Sequence, residues 1–310
     1  SSYPAVQQKS NQQPAYGGIM DDFRKFLFVV NPISGKGNKS KVVATIEREM
    51  LKAGEKFSVV YTEYARHAIE ITKKAVDEAY DVVVAVGGDG SVNEVGKSLV
   101  GTETALGIVP CGSGNGLALH LGIPLNVKKA VLKLLTSCER KIDTASINGK
   151  VFLSIAGIGF DAHIGWKFAE FGRRGLLSYA QLSAKEFFGY KSKEYILEID
   201  GKEIVSNAFL ISFTNSGQYG NNFWIDPKAK LDDGFVSICI LEKFPFTSTL
   251  DILYRTFTKK LEQSKYFKII KAKEIRVKKG FSLLHLDGEP DSSETELHIK
   301  VNPRSLKLFC

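Results

Sequence analysis

The most informative segment of the chain reads Asp81-Val82-Val83-Val84-Ala85-Val86-Gly87-Gly88-Asp89-Gly90-Ser91-Val92-Asn93-Glu94. Its apolar first half predicts a buried strand, and its glycines predict a tight turn that leads into a helix. Glycines leave backbone N–H groups open to a charged ligand at the start of a helix. A carboxylate alone would repel phosphate, so Asp89 in this turn indicates a site that binds phosphate together with a metal ion. The segment is also compatible with an ordinary turn, because Ser91 and Glu94 have the spacing of a capping box.

The first half of the chain repeats this pattern of apolar strand and polar loop. Asn31-Pro32-Ile33-Ser34-Gly35-Lys36-Gly37 follows an apolar run at 26–30, and Pro110-Cys111-Gly112-Ser113-Gly114-Asn115-Gly116 follows another at 105–109. Amphipathic helices alternate with the strands, which predicts a mostly parallel sheet covered on both faces. Loops at the carboxyl ends of such strands gather at one edge, where ligands bind. Their N–H groups, hydroxyls, amides and one cation, Lys36, suit a polyphosphate.

From about residue 141 onward, the sequence pattern changes. Short alternating strands predominate, with hairpin signals at Asn148-Gly149 and Asp200-Gly201, which predicts an antiparallel β domain. Helical stretches near 164–187 and 247–263 interrupt it. We therefore predict a flexible leader or tag remnant at 1–19, an N-terminal Rossmann-like α/β domain at 20–140 and a C-terminal antiparallel β-sandwich domain at 141–310.

Composition narrows the class of protein. Of the 310 residues, 44% are hydrophobic and 25% charged, as in soluble globular proteins, and no apolar run reaches the length of a membrane span. The net charge of +8 suits an anionic lipid surface, a nucleic acid or a nucleotide. Since zinc-finger spacing, RNA-binding signatures and basic arms are missing, we expect no nucleic-acid partner. The four cysteines form no metal or disulfide pattern, which predicts a reducing, cytoplasmic compartment.

Two acidic turns occur in the second half. Asp287-Gly288-Glu289 follows the apolar run Leu284-His285-Leu286 and is typical of a hairpin, but it also offers a general base with a supporting acid. Phosphoryl transfer to a hydroxyl needs little more than positioning, a metal and such a carboxylate. The turn Leu231-Asp232-Asp233-Gly234 is either a solvated β-turn or a Mg²⁺ site that uses Asp233.

Other candidates carry weaker signals. Gly157-Ile158-Gly159-Phe160-Asp161-Ala162 matches a dinucleotide fingerprint but lies in the β half, so we interpret it as a turn that can still bring Asp161 to a cleft. The histidines 67, 120, 163 and 285 have no metal-ligand spacing, and we expect structural or surface roles for them. An aromatic and basic stretch at 166–188 is either an amphipathic helix packed on the β domain or a flap that touches an anionic membrane.

In their order, these motifs resemble the diacylglycerol kinase catalytic-domain family, which includes bacterial lipid kinases of the YegS and DgkB type and the sphingosine and ceramide kinases. The resemblance covers about residues 24–310 and implies a fold like that of NAD kinase and phosphofructokinase. The residues that carry it are Asn31-Pro32-x-Ser34-Gly35, Gly87-Gly88-Asp89-Gly90-Ser91-x-Asn93-Glu94, Pro110-x-Gly112-Ser113-x-Asn115, Leu231-Asp232-Asp233-Gly234 and Asp287-Gly288-Glu289.

The resemblance implies ATP-dependent phosphorylation of a lipid hydroxyl, with ATP and Mg²⁺ as cofactors. It implies that Asp287 and Glu289 lie at the catalytic centre. Either Glu289 or Asp89 then accepts the proton, and both alternatives stay open. The nucleotide contacts that we predict on this basis are Asn31, Pro32, Ser34, Gly35, Lys36, Thr62, Gly87, Gly88, Asp89, Gly90, Ser91, Asn93, Glu94, Gly112, Ser113 and Asn115.

The resemblance also implies a structural Mg²⁺ held by the side chain of Asp233 and by the backbone carbonyls of Lys230 and Phe235. The third glycine loop is closer to the sphingosine kinase version, so a diacylglycerol-like lipid and a sphingoid base both remain as acceptors. Asp161 falls near the position where sphingosine kinases bind the amine head group, and we predict it to contact the substrate.

Two alternatives remain at this point: a kinase of the NAD kinase type, which shares the Gly-Gly-Asp-Gly turn, and a non-catalytic nucleotide- or lipid-binding regulator. On the lipid kinase hypothesis we expect a cytoplasmic protein that associates peripherally with the membrane during turnover, where its lipid substrate lies. A homodimer is left open.

Overall fold

A computed structural model describes residues 24–35, 37–171, 176–187, 189–293 and 295–310, with the backbone alone at 169–171 and 176–180. The chain divides into two compact units. Of the described residues, the first unit holds those from 24 to Gly112 together with Leu121–Arg140 and Leu306–Cys310, and the second holds those in Ser113–His120 and Lys141–Ser305. Within the described ranges, no helix is long and apolar enough to cross a membrane.

The first unit is a parallel α/β sheet. Its elements, with the short helix α4 that belongs to the second unit, are β1 (Lys25–Val30), α1 (Lys39–Ala53), β2 (Lys56–Tyr61), α2 (His67–Asp77), β3 (Val82–Gly87), α3 (Asp89–Leu99), β4 (Ala105–Pro110), α4 (Gly116–His120) and α5 (Val127–Leu135). The strand order is β2-β1-β3-β4, and all of these neighbours pair in parallel. Helix α1 packs beside α5, and α2 beside α3. Right-handed crossovers put these pairs on opposite faces, which confirms the predicted two-sided cover.

Local signals set most helix ends in this unit. The Asn38 side chain accepts a hydrogen bond from Ser40 N, 2.9 Å away, and caps α1, which Gly54 ends in the left-handed conformation. The expectation for α3 is wrong in one detail. The helix begins at Asp89 with Gly88 as its N-cap, so Ser91 lies inside the first turn and the predicted capping box does not form.

The second unit is built from antiparallel strands. Its further elements are β5 (Glu139–Ile147), β6 (Lys150–Phe152), β7 (Ile155–Gly159), α6 (Phe160–Phe171), α7 (Leu176–Phe187), β8 (Lys193–Ile199), β9 (Lys202–Thr214), β10 (Val236–Glu242), α8 (Thr249–Phe257), β11 (Phe267–Ala272), β12 (Glu274–Lys279), β13 (Leu283–Leu286), β14 (Glu289–Ser292) and β15 (Leu297–Phe309). The pairing path is β14-β13-β7-β9-β8-β12-β15, with β10 on β9, β11 on β10, β5 on β15 and β6 on β5. The last residues of β15 return to the first unit, where Leu308 pairs with Leu106 of β4.

Two hairpins of this unit were predicted from Asx-Gly pairs and are confirmed. Asn148-Gly149 joins β5 to β6, and Asp200-Gly201 joins β8 to β9, with positive φ at all four residues. Two successive residues with positive φ suit the twist of antiparallel strands. The same geometry recurs at Asp287-Gly288 between β13 and β14.

The core of the second unit has two sides. Along β10, Ile238 and Ile240 enter one apolar cluster together with Ile275 and Ile299. The intervening Cys239 and Leu241 enter a second cluster, which includes residues of α8 and β11. Because side chains alternate along a strand, β10 is buried on both faces, as expected in a layered β domain.

Candidate active site

The carboxyl edge of the parallel sheet gathers most of the predicted nucleotide contacts. Thr62 N donates to Val30 O at 2.9 Å, Asn31 N to Val86 O at 3.1 Å, and Cys111 N to Gly87 O at 2.7 Å. The ends of β1 to β4 therefore lie level with each other. Strand β1 lies between β2 and β3, so the chain reverses its direction of travel across the sheet here, and open α/β sheets bind ligands at such a switch point.

The loop after β1 is tied to the start of α3. Asn31 Nδ2 donates to Ser91 Oγ at 3.2 Å, and Asn31 Oδ1 accepts from Ile33 N at 3.1 Å. The Ser34 hydroxyl donates to Asn31 O at 3.0 Å. These bonds give Asn31 and Ser91 a positioning role in addition to the predicted contacts. Lys36, another predicted contact, lies outside the described residues.

Gly35 allows this loop to reach the end of β4. A Cβ atom at Gly35 would overlap the carbonyl oxygen of Cys111, and the residue has φ of 60°. Only glycine meets both conditions without strain. The predicted glycine therefore sets how closely the two loops approach.

The first turn of α3 supplies an anion-binding end. The first intrahelical hydrogen bond runs from Val92 N to Gly88 O at 3.1 Å. The N–H groups before it lie at the sheet edge, where the helix dipole favours negative charge. Asp89 and Gly90 lie at this end, whereas Asn93 is buried in the following part of the turn. Glu94 comes next, and its carbonyl accepts from the Ser98 hydroxyl at 2.7 Å.

Sequence reasoning missed a cation at this edge, Lys39. Its side chain is buried, and its Nζ donates to Ser34 O at 2.5 Å. Burial raises the pKa of the Cys111 thiol, while the charge of Lys39 acts in the opposite direction, so the ammonium lies near the end of β4 as well. A lysine in the first turn of a helix opposes the helix dipole, and this was the signal available in the sequence.

The third glycine loop is divided between the two units. Gly112 belongs to the first unit, and a Cβ atom on Gly88 would lie 3.0 Å from its Cα. Ser113 and Asn115 belong to the second unit. There, Asn115 has φ of 55° and its carbonyl accepts from Leu119 N at 2.9 Å.

The Asp287-Gly288-Glu289 turn belongs to the second unit. The Asp287 carboxylate accepts hydrogen bonds from Leu153 N at 3.0 Å, Ser154 N at 2.8 Å and Ile155 N at 3.2 Å. It therefore clamps the turn to the loop that enters β7. Glu289 begins β14 and is exposed, and no described residue forms a hydrogen bond or ion pair with its carboxylate.

Asp161 lies in the first turn of α6 and is buried against a histidine. His285 Nε2 lies 2.7 Å from Asp161 Oδ2, and the Tyr219 hydroxyl donates to the same oxygen at 2.5 Å. A Cβ atom at Gly157 would overlap Asp161 Oδ2, so the absence of a side chain at Gly157 makes room for the pair. The structural role expected for His285 agrees with this burial, and its partner is a predicted substrate residue.

The charges of this pair stabilise each other. Burial by itself raises the pKa of Asp161, but the nearby charge of His285 and hydrogen bonds from Tyr219 and Ser212 outweigh it and hold the pKa below its ordinary value. For His285, burial lowers the pKa, and the nearby carboxylate of Asp161 raises it by more, with help from Asp287. The pKa of His285 therefore lies above its ordinary value.

The second acidic turn is held by a residue that sequence reasoning missed, Asp143. Its buried carboxylate accepts from Gly234 N and from Arg304 N, each at 2.7 Å. An acid between the apolar residues Ile142 and Ala145 of β5 was the available signal. Through Gly234 N, Asp143 fixes the turn that carries Asp233.

The predicted Mg²⁺ site has suitable donors and one competitor. Asp233 Oδ1 accepts from Phe235 N at 3.1 Å, and Lys271 Nζ lies 2.5 Å from Asp233 Oδ2. One carboxylate and the carbonyls of Lys230 and Phe235 are oxygen donors of the kind that Mg²⁺ takes. No cluster of three acidic, histidine or cysteine side chains supports a metal within the described ranges. The turn therefore fits Mg²⁺ only if Lys271 leaves the carboxylate.

The described side chains of the aromatic stretch pack inward. Trp166 Nε1 donates to Asp291 O at 3.1 Å, and Leu182 is buried. Phe187 lies 5.4 Å from Phe209, measured between ring centroids. These contacts favour the packed helix over the flap for this part. Residues 172–175 and 188, and the side chains of 169–171 and 176–180, lie outside the described atoms.

Comparison with known proteins agrees with this geometry. The model of the diacylglycerol kinase catalytic domain matches residues 25–147, and that of the YegS C-terminal NAD kinase beta sandwich-like domain matches residues 154–310. The chain is 27% identical over 272 residues to a diacylglycerol kinase of Bacillus subtilis, covering 86% of this chain and 90% of that protein. It is 27% identical over 273 residues to a diacylglycerol kinase of Staphylococcus aureus strain MRSA252, covering 86% of each.

The fold agrees with a solved structure as well. A crystal structure of a diacylglycerol kinase from Bacillus anthracis strain Sterne superposes with a TM-score of 0.73 at 22% identity, covering 93% of this chain and 97% of that one. At this identity the likeness concerns the fold, and the two domain matches extend it to the family. The chain therefore belongs to the diacylglycerol kinase catalytic-domain family and carries a YegS-type C-terminal domain.

Proposed function

We propose that this protein transfers the γ-phosphoryl group of ATP to the hydroxyl of a diacylglycerol-like lipid. The main support for the proposal is the carboxyl edge of the parallel sheet. There Asn31, Thr62 and Gly87 mark aligned strand ends beside the start of α3. Membership of the family and the named relatives support a lipid acceptor over NAD.

The nucleotide half of the reaction belongs to the first unit. The N–H groups at the start of α3 and the loop shaped by Gly35 suit the phosphates of ATP. Lys39 would add a positive charge within this loop. Mg²⁺ bound with ATP would neutralise charge on the phosphates, and we assign Asp89 to that complex.

The transfer is a displacement of ADP at the γ-phosphorus by the lipid hydroxyl. The lipid hydroxyl oxygen forms a bond to the γ-phosphorus, the bond from that phosphorus to the bridging oxygen of ADP breaks, and the hydroxyl proton passes to a carboxylate. We assign the proton to Glu289, because it is exposed and engaged by no described residue. Asp287 then acts through its three amide contacts, which hold the turn in place.

The surroundings of Asp161 favour a neutral acceptor. A sphingoid base carries an amine that would need an uncompensated carboxylate. Asp161 is already compensated by His285, with hydrogen bonds from Tyr219 and Ser212. A buried charge with this many partners gains little from a further cation. We therefore propose a diacylglycerol-like acceptor over a sphingoid base.

A panel of acceptors tests this proposal. ADP formation would be measured with Mg²⁺ and ATP against 1,2-diacylglycerol, sphingosine and ceramide in mixed detergent micelles, and against NAD in solution. We expect turnover with diacylglycerol that exceeds turnover with sphingosine by at least about tenfold. Turnover with NAD alone would contradict a lipid kinase, and a preference for sphingosine would contradict the role given to Asp161.

A further inference from the structure

Helix α8 and the turn before it leave a row of large apolar side chains in solvent. Leu250 is 80% exposed, and Tyr254 and Phe246 are each 62% exposed. The intervals between the residues of this row follow the helical repeat, so they share one face. We name this face the α8 surface, and its members are Phe246, Leu250, Leu253, Tyr254 and Phe257.

The helix packs mainly through its other face, and of the α8 surface Phe257 and Phe246 also contact the rings of Phe223 and Phe187. Ile252 and Thr256 on the opposite side are buried, and Ile252 packs in the cluster with Leu261 and Phe267. A surface helix of a globular protein normally presents charged and polar residues on its outer side. Here both sides are apolar, and such exposed patches mark interaction sites.

Exposed lysines flank the α8 surface along the chain on both sides of the helix. The acidic residues in this region are already paired, Asp251 with Arg255, Glu242 with Lys268 and Glu262 with Lys228. The remaining lysines are exposed, and among the described residues none of them has an ion-pair partner. These lysines are Lys243, Lys259, Lys260 and Lys265.

The α8 surface connects to the acidic residues of the same unit through ring contacts. Phe257 lies 5.5 Å from Phe223, and Phe223 lies 5.9 Å from Tyr219, measured between ring centroids. Tyr219 in turn donates its hydroxyl hydrogen bond to Asp161. An occupant of the α8 surface would therefore contact rings that connect to Asp161, a predicted substrate residue.

We propose that the α8 surface docks on an anionic lipid bilayer, with its apolar side chains in the interface and the lysines at the head groups. An exposed apolar helix face with lysines close by in the chain is typical of interfacial helices, and each lysine near the head groups gains from the negative surface potential. The inference rests on the proposed function only in its choice of a bilayer as occupant.

Vesicle flotation tests the docking without any turnover. The protein would be mixed with vesicles of phosphatidylcholine, with and without about 30% phosphatidylglycerol. The variant Leu250→Asn/Tyr254→Asn removes apolar area, and Leu51→Asn/Leu125→Asn is its matched control, because both leucines are exposed elsewhere. We expect binding to anionic vesicles that falls at least about tenfold in the first variant and stays unchanged in the control.

A second variant tests the charges. Lys259→Gln/Lys260→Gln/Lys265→Gln should weaken binding to anionic vesicles by about a hundredfold, whereas Lys41→Gln/Lys52→Gln/Lys73→Gln should have little effect. Thermal unfolding would show that each variant folds. Turnover on short-chain diacylglycerol in non-ionic micelles should be retained in all of them, because no α8 residue belongs to the proposed catalytic machinery.

Several results would overturn the proposal. The wild type could fail to bind anionic vesicles, or the α8 variants could bind as tightly as the wild type. A wild-type dimer that the Leu250→Asn/Tyr254→Asn variant converts to a monomer would show a second copy to be the occupant. Turnover in micelles without vesicle binding would contradict the docking proposal but not the kinase function. Vesicle binding without turnover on any lipid would contradict the kinase function but not the docking proposal.

Discussion

His285 Nε2 lies 2.7 Å from Asp161 Oδ2 inside the second unit, and both side chains are buried. When the imidazole is neutral, its other ring nitrogen, His285 Nδ1, accepts a hydrogen bond from Gly288 N at 3.2 Å. The imidazole therefore links the first turn of α6 to the turn that carries Glu289. Removal of one partner from such a buried pair leaves an uncompensated charge, which is strongly destabilising.

We predict that His285→Ala lowers the free energy of unfolding by about 3–5 kcal/mol, because Asp161 then stays buried without its cation. Urea unfolding measures this. The matched control is His298→Ala, which removes a histidine paired with Glu274 at a half-buried position. It should cost less than about 1 kcal/mol. Equal losses in the two variants would contradict the account of the buried pair.

The same pair predicts a pH dependence. The pKa of His285 is raised in the folded protein. Its ionisation therefore contributes fully to the free energy of unfolding below pH 6.5, its ordinary pKa, and this contribution is lost as the pH rises through the folded pKa. The pKa of Asp161 is lowered in the folded protein. Its ionisation therefore contributes to the free energy of unfolding above pH 3.8, its ordinary pKa, and this contribution is lost as the pH falls through the folded pKa. The stability difference between wild type and His285→Ala should therefore be largest between these two values. A difference that does not change from mildly acidic to alkaline pH would contradict the pairing.

We predict that Gly35→Ala weakens ATP binding by at least about tenfold, because the new Cβ would force the loop away from Cys111 and strain a left-handed residue. Isothermal titration calorimetry measures the affinity. Gly101→Ala is the control, since Gly101 has φ of 78° but no atom within 4 Å of an added Cβ. It should cost about 1–2 kcal/mol of stability and leave ATP affinity unchanged.

We predict that Lys39→Met weakens ATP binding by about tenfold, since charge-assisted hydrogen bonds contribute about 1.5–3 kcal/mol. The matched control is Lys41→Met, which removes an exposed lysine from the same helix. ATP affinity equal to that of the wild type in Lys39→Met would show that this ammonium only supports the Ser34 carbonyl.

We predict that Lys271→Met increases the stabilisation by Mg²⁺, because the metal no longer competes with the ammonium for Asp233. The shift of the unfolding midpoint with Mg²⁺ concentration measures this without any turnover. The control is Lys268→Met on the same strand, where the lysine pairs with Glu242 instead. The same Mg²⁺ response in both variants would contradict a metal site at Asp233.

Much of the fold could be predicted from the sequence, because local patterns set it. The alternation of strands and helices predicts the parallel sheet, and the Asn-Gly and Asp-Gly pairs predict two hairpins. Three strands were missed for physical reasons. The expected turn at Gly157-Ile158-Gly159 is wrong, because these residues end strand β7, whose two glycines conceal the strand pattern. Strand β11 lies in a lysine-rich stretch that hides its alternation, and β14 holds Pro290, which a strand tolerates only at the edge of a sheet.

The candidate site was predictable where it depends on local motifs. The glycine turns and the acidic turns could be read directly, because backbone conformation and residue type are local properties. Lys39, Asp143 and His285 were missed because their roles come from partners distant in the sequence or from burial. For the same reason the sequence directed attention to the aromatic stretch at 166–188, whereas the exposed apolar row lies on α8.

The mass of the lipid product formed from 1,2-diacylglycerol and ATP, compared between wild type and Glu289→Gln, tests the proposed phosphoryl transfer. We expect one phosphorylated lipid for each ADP in the wild type and a rate at least about a hundredfold lower in the variant. The control Glu194→Gln, which changes another exposed glutamate of the same unit, should retain the wild-type rate. A phosphorylated product formed at the wild-type rate by Glu289→Gln, or no phosphorylated lipid from the wild type, would contradict this proposal.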